Sequence, residues 1–127
     1  MIEVNPDVAY RIVELAREFH AKEAVVFPHE SDQESEDWAM QVLADHADDP
    51  AYEALKGTVE SLEPEQQANI VALMWIGRGD FYPTDWEEAL AEARDRWTPR
   101  TADYLISTPL VADYLEEGLS LFGYSQD

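Results

Sequence analysis

The apolar positions of this chain recur at helical spacing, and nowhere do apolar and polar residues alternate over the length of a strand. Val8, Ile12, Leu15 and Phe19 form the first stripe, widened by Val13 and Ala16. Asn5-Pro6-Asp7 opens it with an N-cap, a proline at the first helical position and an acid in the first turn. A helix is therefore predicted from Pro6 to near Val26, because Phe27 precedes Pro28 and is pushed out of the α region. Trp38, Val42 and Leu43 mark a short second helix that ends before Asp49-Pro50. Tyr52, Leu55, Val59 and Leu62 mark a third, weakened by Gly57.

The fourth stretch has a different pattern. Pro64 starts it, and "ANIVALMWIG" is apolar nearly all round, the mark of a buried helix. Residues 64–78 are thus the predicted centre of the domain. Thr84 and Glu87 have capping-box spacing, and Ala89, Leu90, Ala93 and Trp97 continue a helix behind them. Near the end, "TPRTADYL" at 98–105 is echoed by "TPLVADYL" at 108–115, with six of eight positions in agreement. Each copy offers Thr as N-cap and Pro behind it, so two helices are predicted to start ten residues apart. The period is too short for a solenoid. The fold class is all-α: a single-domain bundle of six or seven helices around the 64–78 helix.

Composition supports one domain. A chain of 127 residues can bury roughly two-thirds of its unfolded surface, and 46 % of this one is hydrophobic. It has no cysteine, which removes thiol nucleophiles, thiolate metal sites and disulfides. "MIEVNPDV" carries acid where a signal peptide carries base. The longest apolar run, Ile70 to Ile76, is too short to span a bilayer, which needs about 20 residues. A cytoplasmic protein without a membrane segment is expected.

Charge narrows the partners. Eight Lys+Arg against 28 Asp+Glu give a net charge of −20. Phosphate backbones are gripped by Lys and Arg that displace counterions, so direct nucleic-acid binding is not expected. Solubility or adaptation to salt explains such acidity, and an acidic face for a basic partner is the sharper reading. "HESDQESED" at 29–37 holds five acids and no base and is expected to be a mobile acidic loop.

The stretch with most chemistry is "MWIGRGDFYPTDW" at 74–86. Trp75, Arg78, Asp80, Tyr82 and Trp86 are the candidate ligand- or partner-binding residues. An arginine held between glycines at a helix end is suited to clamp a carboxylate or phosphate, and the three aromatics are suited to wall a pocket. Each residue also has a structural explanation. Gly77 or Gly79 suits a left-handed helix end, Arg78 the C-terminal dipole, Asp80 a turn, and Tyr82 an extended step before Pro83. Arg78-Gly79-Asp80 also matches an integrin-binding adhesion motif, which the lack of a secretion signal argues against.

Catalytic and metal signatures are missing. No Glu precedes a histidine by three residues, there is no His-Glu-x-x-His, and no serine lies in Gly-x-Ser-x-Gly. Asp45-His46-Ala47-Asp48-Asp49 reads as an acidic helix end rather than a divalent-ion site. No catalytic residue, metal ligand or cofactor is assigned, and an enzyme is the less favoured class.

"ALMWIGRGD", "DWEEA" and "PLVADYLEEGL", in that order and spacing, resemble an uncharacterised bacterial family, domain of unknown function 3775, over about residues 62–123. The resemblance implies a small bacterial helical protein and brings no activity, cofactor or site residue. The best overall reading is a small acidic interaction or regulatory module with a protein partner, its face formed by residues 75–86 and the C-terminal helices. The alternatives are a small-ligand binder or enzyme around Arg78 and Asp80, or a nucleic-acid mimic built on the eight acids of residues 30–49. Oligomeric state is not legible.

Overall fold

The computed structural model describes residues 4–21, 44, 48–108 and 110–124. Among them are six α-helices and no strand: α1 (Pro6–His20), α2 (Pro50–Glu60), α3 (Pro64–Arg78), α4 (Trp86–Arg96), α5 (Thr101–Ser107) and α6 (Val111–Leu121). A short 3₁₀ turn, Pro83–Asp85, leads into α4. The fold is all-helical, as the periodicity predicts. The expected second helix, the acidic loop at 29–37 and the stretch from Lys22 to Val26 lie outside the described residues.

The starts of α1 and α2 follow one recipe. Asn5 and Asp49 accept the backbone N–H two residues on, at 3.0 and 2.8 Å, and proline fills the first position behind each cap. That proline lacks the N–H which would otherwise be left without a partner, and its ring fixes φ for the helix. α3 begins at Pro64 with a capping box between Glu63 and Gln66. It ends at Arg78, so its predicted span holds at both ends.

Three predicted caps are displaced. Thr84 does not cap α4; it sits inside the 3₁₀ turn, closed by Asp85 N–H donating to the Tyr82 carbonyl at 2.8 Å. The extended Tyr82-Pro83 step begins that tight turn, and the turn runs directly into Trp86. Likewise α5 and α6 start at Thr101 and Val111, ten residues apart as predicted but three positions after each threonine. Thr98 builds a turn instead: its Oγ1 accepts the Arg100 N–H and its carbonyl accepts the Thr101 N–H, both at 3.0 Å. A threonine hydroxyl closes such local turns as readily as it caps a helix.

α3 is the centre. Every residue from Gln67 to Ile76 is buried, and the helix packs against α4 on one side and α6 on another. α1 lies against α6 and α2, and α2 against α5. The α3–α6 crossing depends on two glycines. A Cβ on Gly77 would stand 1.7 Å from the Tyr114 carbonyl oxygen, and one on Gly118 would stand 2.6 Å from that of Leu73. With hydrogen at both positions the helix backbones meet, and Leu73, Met74, Leu115 and Leu119 close the core around them. Each such side chain contributes roughly 1.5–3 kcal/mol by leaving water. Gly77 is therefore a packing residue within the helix, and Gly79 alone takes the left-handed end (φ 97°).

Candidate functional site

The end of α3 arranges the residues of the candidate stretch in three directions. Gly79 N–H donates to the Trp75 and Ile76 carbonyls, both at 3.1 Å, and Asp80 N–H to the Trp75 carbonyl at 3.0 Å. These bonds satisfy carbonyls that a helix end leaves open. Asp80 is thereby folded back towards Arg78. Its Oδ2 accepts from Arg78 Nε and from the guanidinium terminus, both at 2.7 Å.

The aromatics diverge. Trp86 is 7 % exposed and meets Phe122 edge to face, with ring centroids 5.6 Å apart. Tyr82 points outward at 76 % exposure. Trp75 turns the other way, stacked on Phe81 at 6.0 Å, with its indole N–H donating to the Tyr104 hydroxyl at 3.0 Å. Arg78 and Asp80 thus stand together as an ion pair, Trp86 is packed on the end of α6, and Trp75 joins a different constellation.

That constellation is a groove of about 430 Å³ between α3, α4 and α5, within the range of small-molecule sites. Trp75 and Val71 come from α3, Ala93 and Arg96 from α4, and Tyr104 and Ser107 from α5. The link from Trp97 to Arg100 forms the remaining wall. Trp97 is held by its indole N–H, which donates to Gln67 Oε1 at 2.9 Å. Gln67 is buried, and its own Nε2 donates to the Val59 and Leu62 carbonyls at 3.2 and 3.0 Å. A buried amide with its hydrogen bonds satisfied is a firm mount, so this side chain fixes Trp97 to the end of α2 and the start of α3.

Polar groups at the groove fall into two kinds. Thr101 Oγ1 donates to the Thr98 carbonyl at 2.8 Å and Ser107 Oγ to that of Tyr104 at 3.2 Å, so these hydroxyls serve the local turns. Arg96 pairs with Glu92 one turn back and lies over the Trp75 ring, 6.0 Å from its centroid. Arg100 is different: it is exposed, and among the described residues its guanidinium has no ion pair or hydrogen bond. The Tyr104 hydroxyl accepts from Trp75 and keeps its own proton to donate. Among the described residues, no carboxylate and no histidine lines the groove.

Carboxylates around this region are engaged elsewhere. Glu65, at the start of α3, takes a forked bond from Arg94, with Nε at 2.8 and 3.0 Å from its two oxygens. That bond holds the Glu65 carboxyl below its ordinary range. Asp103 faces away from the groove and accepts the Tyr52 hydroxyl at 2.8 Å.

The family described as "protein of unknown function (DUF3775)" matches residues 52–124. The chain belongs to that family. No curated protein and no solved structure matches it. The DUF3775 span begins ten residues before the stretch that resembles it in sequence motifs, and so takes in α2 from Tyr52 onward. It holds the whole groove and leaves α1 outside. No described helix is long and apolar enough to cross a membrane.

Of the five candidates, then, Trp75 alone lines the groove. The residues that sequence reasoning missed are Arg96, Trp97, Arg100 and Tyr104. A signal for them existed. Arg94, Arg96 and Arg100 place three of the chain's eight basic residues within seven positions, around a tryptophan.

Proposed function

We propose that this DUF3775 protein is a non-catalytic, cytoplasmic binding module whose ligand site is the groove between α3, α4 and α5. The observation that carries the reading is a preformed concavity walled by Trp75, Trp97 and Tyr104, with the Arg100 guanidinium, unpaired among the described residues, at its edge. Ligand sites combine apolar and aromatic walls with a few placed polar groups, and this groove has both. General acid–base chemistry most often uses a histidine or carboxylate within reach of the substrate, and among the described residues neither lines the groove. The regulatory-module reading is kept, with its centre moved from Arg78 to this groove.

A small ligand is preferred over a protein partner on the evidence of the surface. Among the described residues the large exposed hydrophobics are Tyr82, just before the 3₁₀ turn, and Leu110 and Leu121, at opposite ends of α6. Apolar residues exposed singly are ordinary; a protein interface presents a contiguous patch. The acids of residues 30–49, on which nucleic-acid mimicry would rest, fall largely outside the described residues.

Indole N–H resonances test the proposal directly, because Trp75 and Trp97 line the groove and Trp86 does not. Titration of a fragment library into ¹⁵N-labelled protein is expected to yield ligands that shift the Trp75 and Trp97 indole signals and leave Trp86 in place. A library that shifts neither groove indole would overturn the proposed site.

A further inference from the structure

The groove differs from the rest of the molecule in charge. Acids make up 28 of the chain's 127 residues, yet among the described residues none lines the groove, while two of the eight basic residues do. On a protein of net charge −20 this is a local reversal of sign. Among the described residues, the Arg100 guanidinium and the Tyr104 hydroxyl both keep donor capacity towards the groove. A groove whose charged groups are guanidinium donors, with no carboxylate among the described residues of its lining, favours a ligand that carries an anionic acceptor.

We infer that the ligand is a small organic carboxylate with a flat apolar body, its carboxylate held at Arg100 and its body laid against Trp97 and Tyr104. This rests on the groove being the binding site, as proposed above. A carboxylate fits better than a phosphate ester because, among the described residues, Arg100 is the guanidinium at the groove without an ion pair, whereas Arg96 gives its Nε to Glu92. The planar fork of a guanidinium matches two carboxylate oxygens, whereas a dianionic phosphate asks for several cations. A flat body fits because the walls are aromatic faces and edges, which attract rings through offset and edge-to-face packing. Repulsion from the acidic surface works against any anion at long range, but salt screens it beyond roughly 10 Å and leaves a direct contact at the groove less affected.

Three matched probes separate the claims: 2-naphthoate, the neutral 2-naphthamide and the cationic 2-naphthylmethylamine. Each is titrated into the full chain and followed by the Trp75 and Trp97 indole signals. Naphthoate is expected to bind about fivefold tighter than the amide, as a charge-assisted contact at a partly exposed rim allows, and the amine weakest. Arg100→Gln is expected to remove the carboxylate preference, bringing naphthoate down to the affinity of the amide. Since Arg100 is exposed and has no partner among the described residues, the variant should fold, which an unchanged thermal midpoint and circular dichroism spectrum verify. If amide and carboxylate bind the groove equally, or the amine binds best, the inference is wrong and the groove remains a binding site. If Arg100→Gln keeps the preference, the carboxylate is held elsewhere and the inference is equally wrong. If none of the three moves either indole and the fragment library also fails, the site itself is refuted.

Discussion

Arg78 and Arg100 stand at opposite ends of what an arginine does in this protein. Arg78 lies in the more conspicuous motif, between glycines and among aromatics, and its guanidinium is held by Asp80 two residues away, at 2.7 Å. Arg100 lies in the short link between two helices, and no carboxylate among the described residues meets it. The difference comes from the turns that carry them. A left-handed glycine at the end of α3 folds Asp80 back onto Arg78, whereas the Thr98 turn uses hydroxyl and backbone groups and leaves the Arg100 side chain outside. A motif rich in chemistry can therefore be complete in itself. Capacity for a ligand lies where local structure leaves a donor without an acceptor.

The two glycines that flank Arg78 give the largest expected effects. Gly77→Ala would put a methyl into the Tyr114 carbonyl and force α3 and α6 apart, at a cost of roughly 3 kcal/mol or more. Gly79→Ala meets nothing within 4 Å and is strained only by its positive φ, costing roughly 1 kcal/mol. Chemical denaturation of both variants checks the ordering. Equal losses would mean that the close α3–α6 crossing is misdescribed.

Next in size is the contrast between the arginines. Arg78→Gln breaks an ion pair that is partly open to solvent, so a loss within about 1 kcal/mol is expected, with naphthoate binding unaltered. Arg100→Gln should leave stability within about 0.5 kcal/mol and weaken naphthoate about fivefold. Thermal melts and the indole titration, run on both variants, decide it. A ligand effect at Arg78 rather than Arg100 would restore the turn as the site.

The smallest effect concerns His20, whose Nε2 lies 2.7 Å from the Ile106 carbonyl on the helix that supplies Tyr104. Burial lowers its pKa below 6.5, and the carbonyl contact opposes this only in part. The unfolded chain then takes up a proton at a higher pH than the folded one. The stability due to neutral His20 is complete above the unfolded value and is lost as pH falls from 6.5 towards the folded pKa. Titration of the many carboxylates also changes stability with pH, so the measurement is the difference between wild type and His20→Gln. The wild-type advantage in thermal midpoint is expected to shrink between about pH 7.5 and pH 5.5. A constant difference would show that the ring does not titrate differently on folding.

Much of the fold was legible along the chain, for a local reason. A proline behind a cap residue, an amphipathic stripe and an all-round apolar run are each written within about fifteen residues. α3 was found at both ends on these grounds, and the ten-residue spacing of the last two helix starts was found as well. Caps were less legible, because a threonine before a proline serves a cap or a turn equally well, and only the path of the next residues decides. The groove was not legible from any one segment. Its walls come from α3, α4, α5 and the link at 97–100, brought together by α3 packing against α4 and α5, with Gln67 anchoring Trp97 across thirty positions of sequence.

The sequence by itself determined that this is a helical, strongly acidic protein centred on residues 64–78, because helix periodicity, caps and net charge are local or additive properties. Tertiary structure alone decided three things: that Gly77 is a contact rather than a hinge, that Trp75 and Trp86 face different surroundings, and that Arg100 rather than Arg78 stands open. Each depends on which helix lies opposite, and that is set by how the whole core closes.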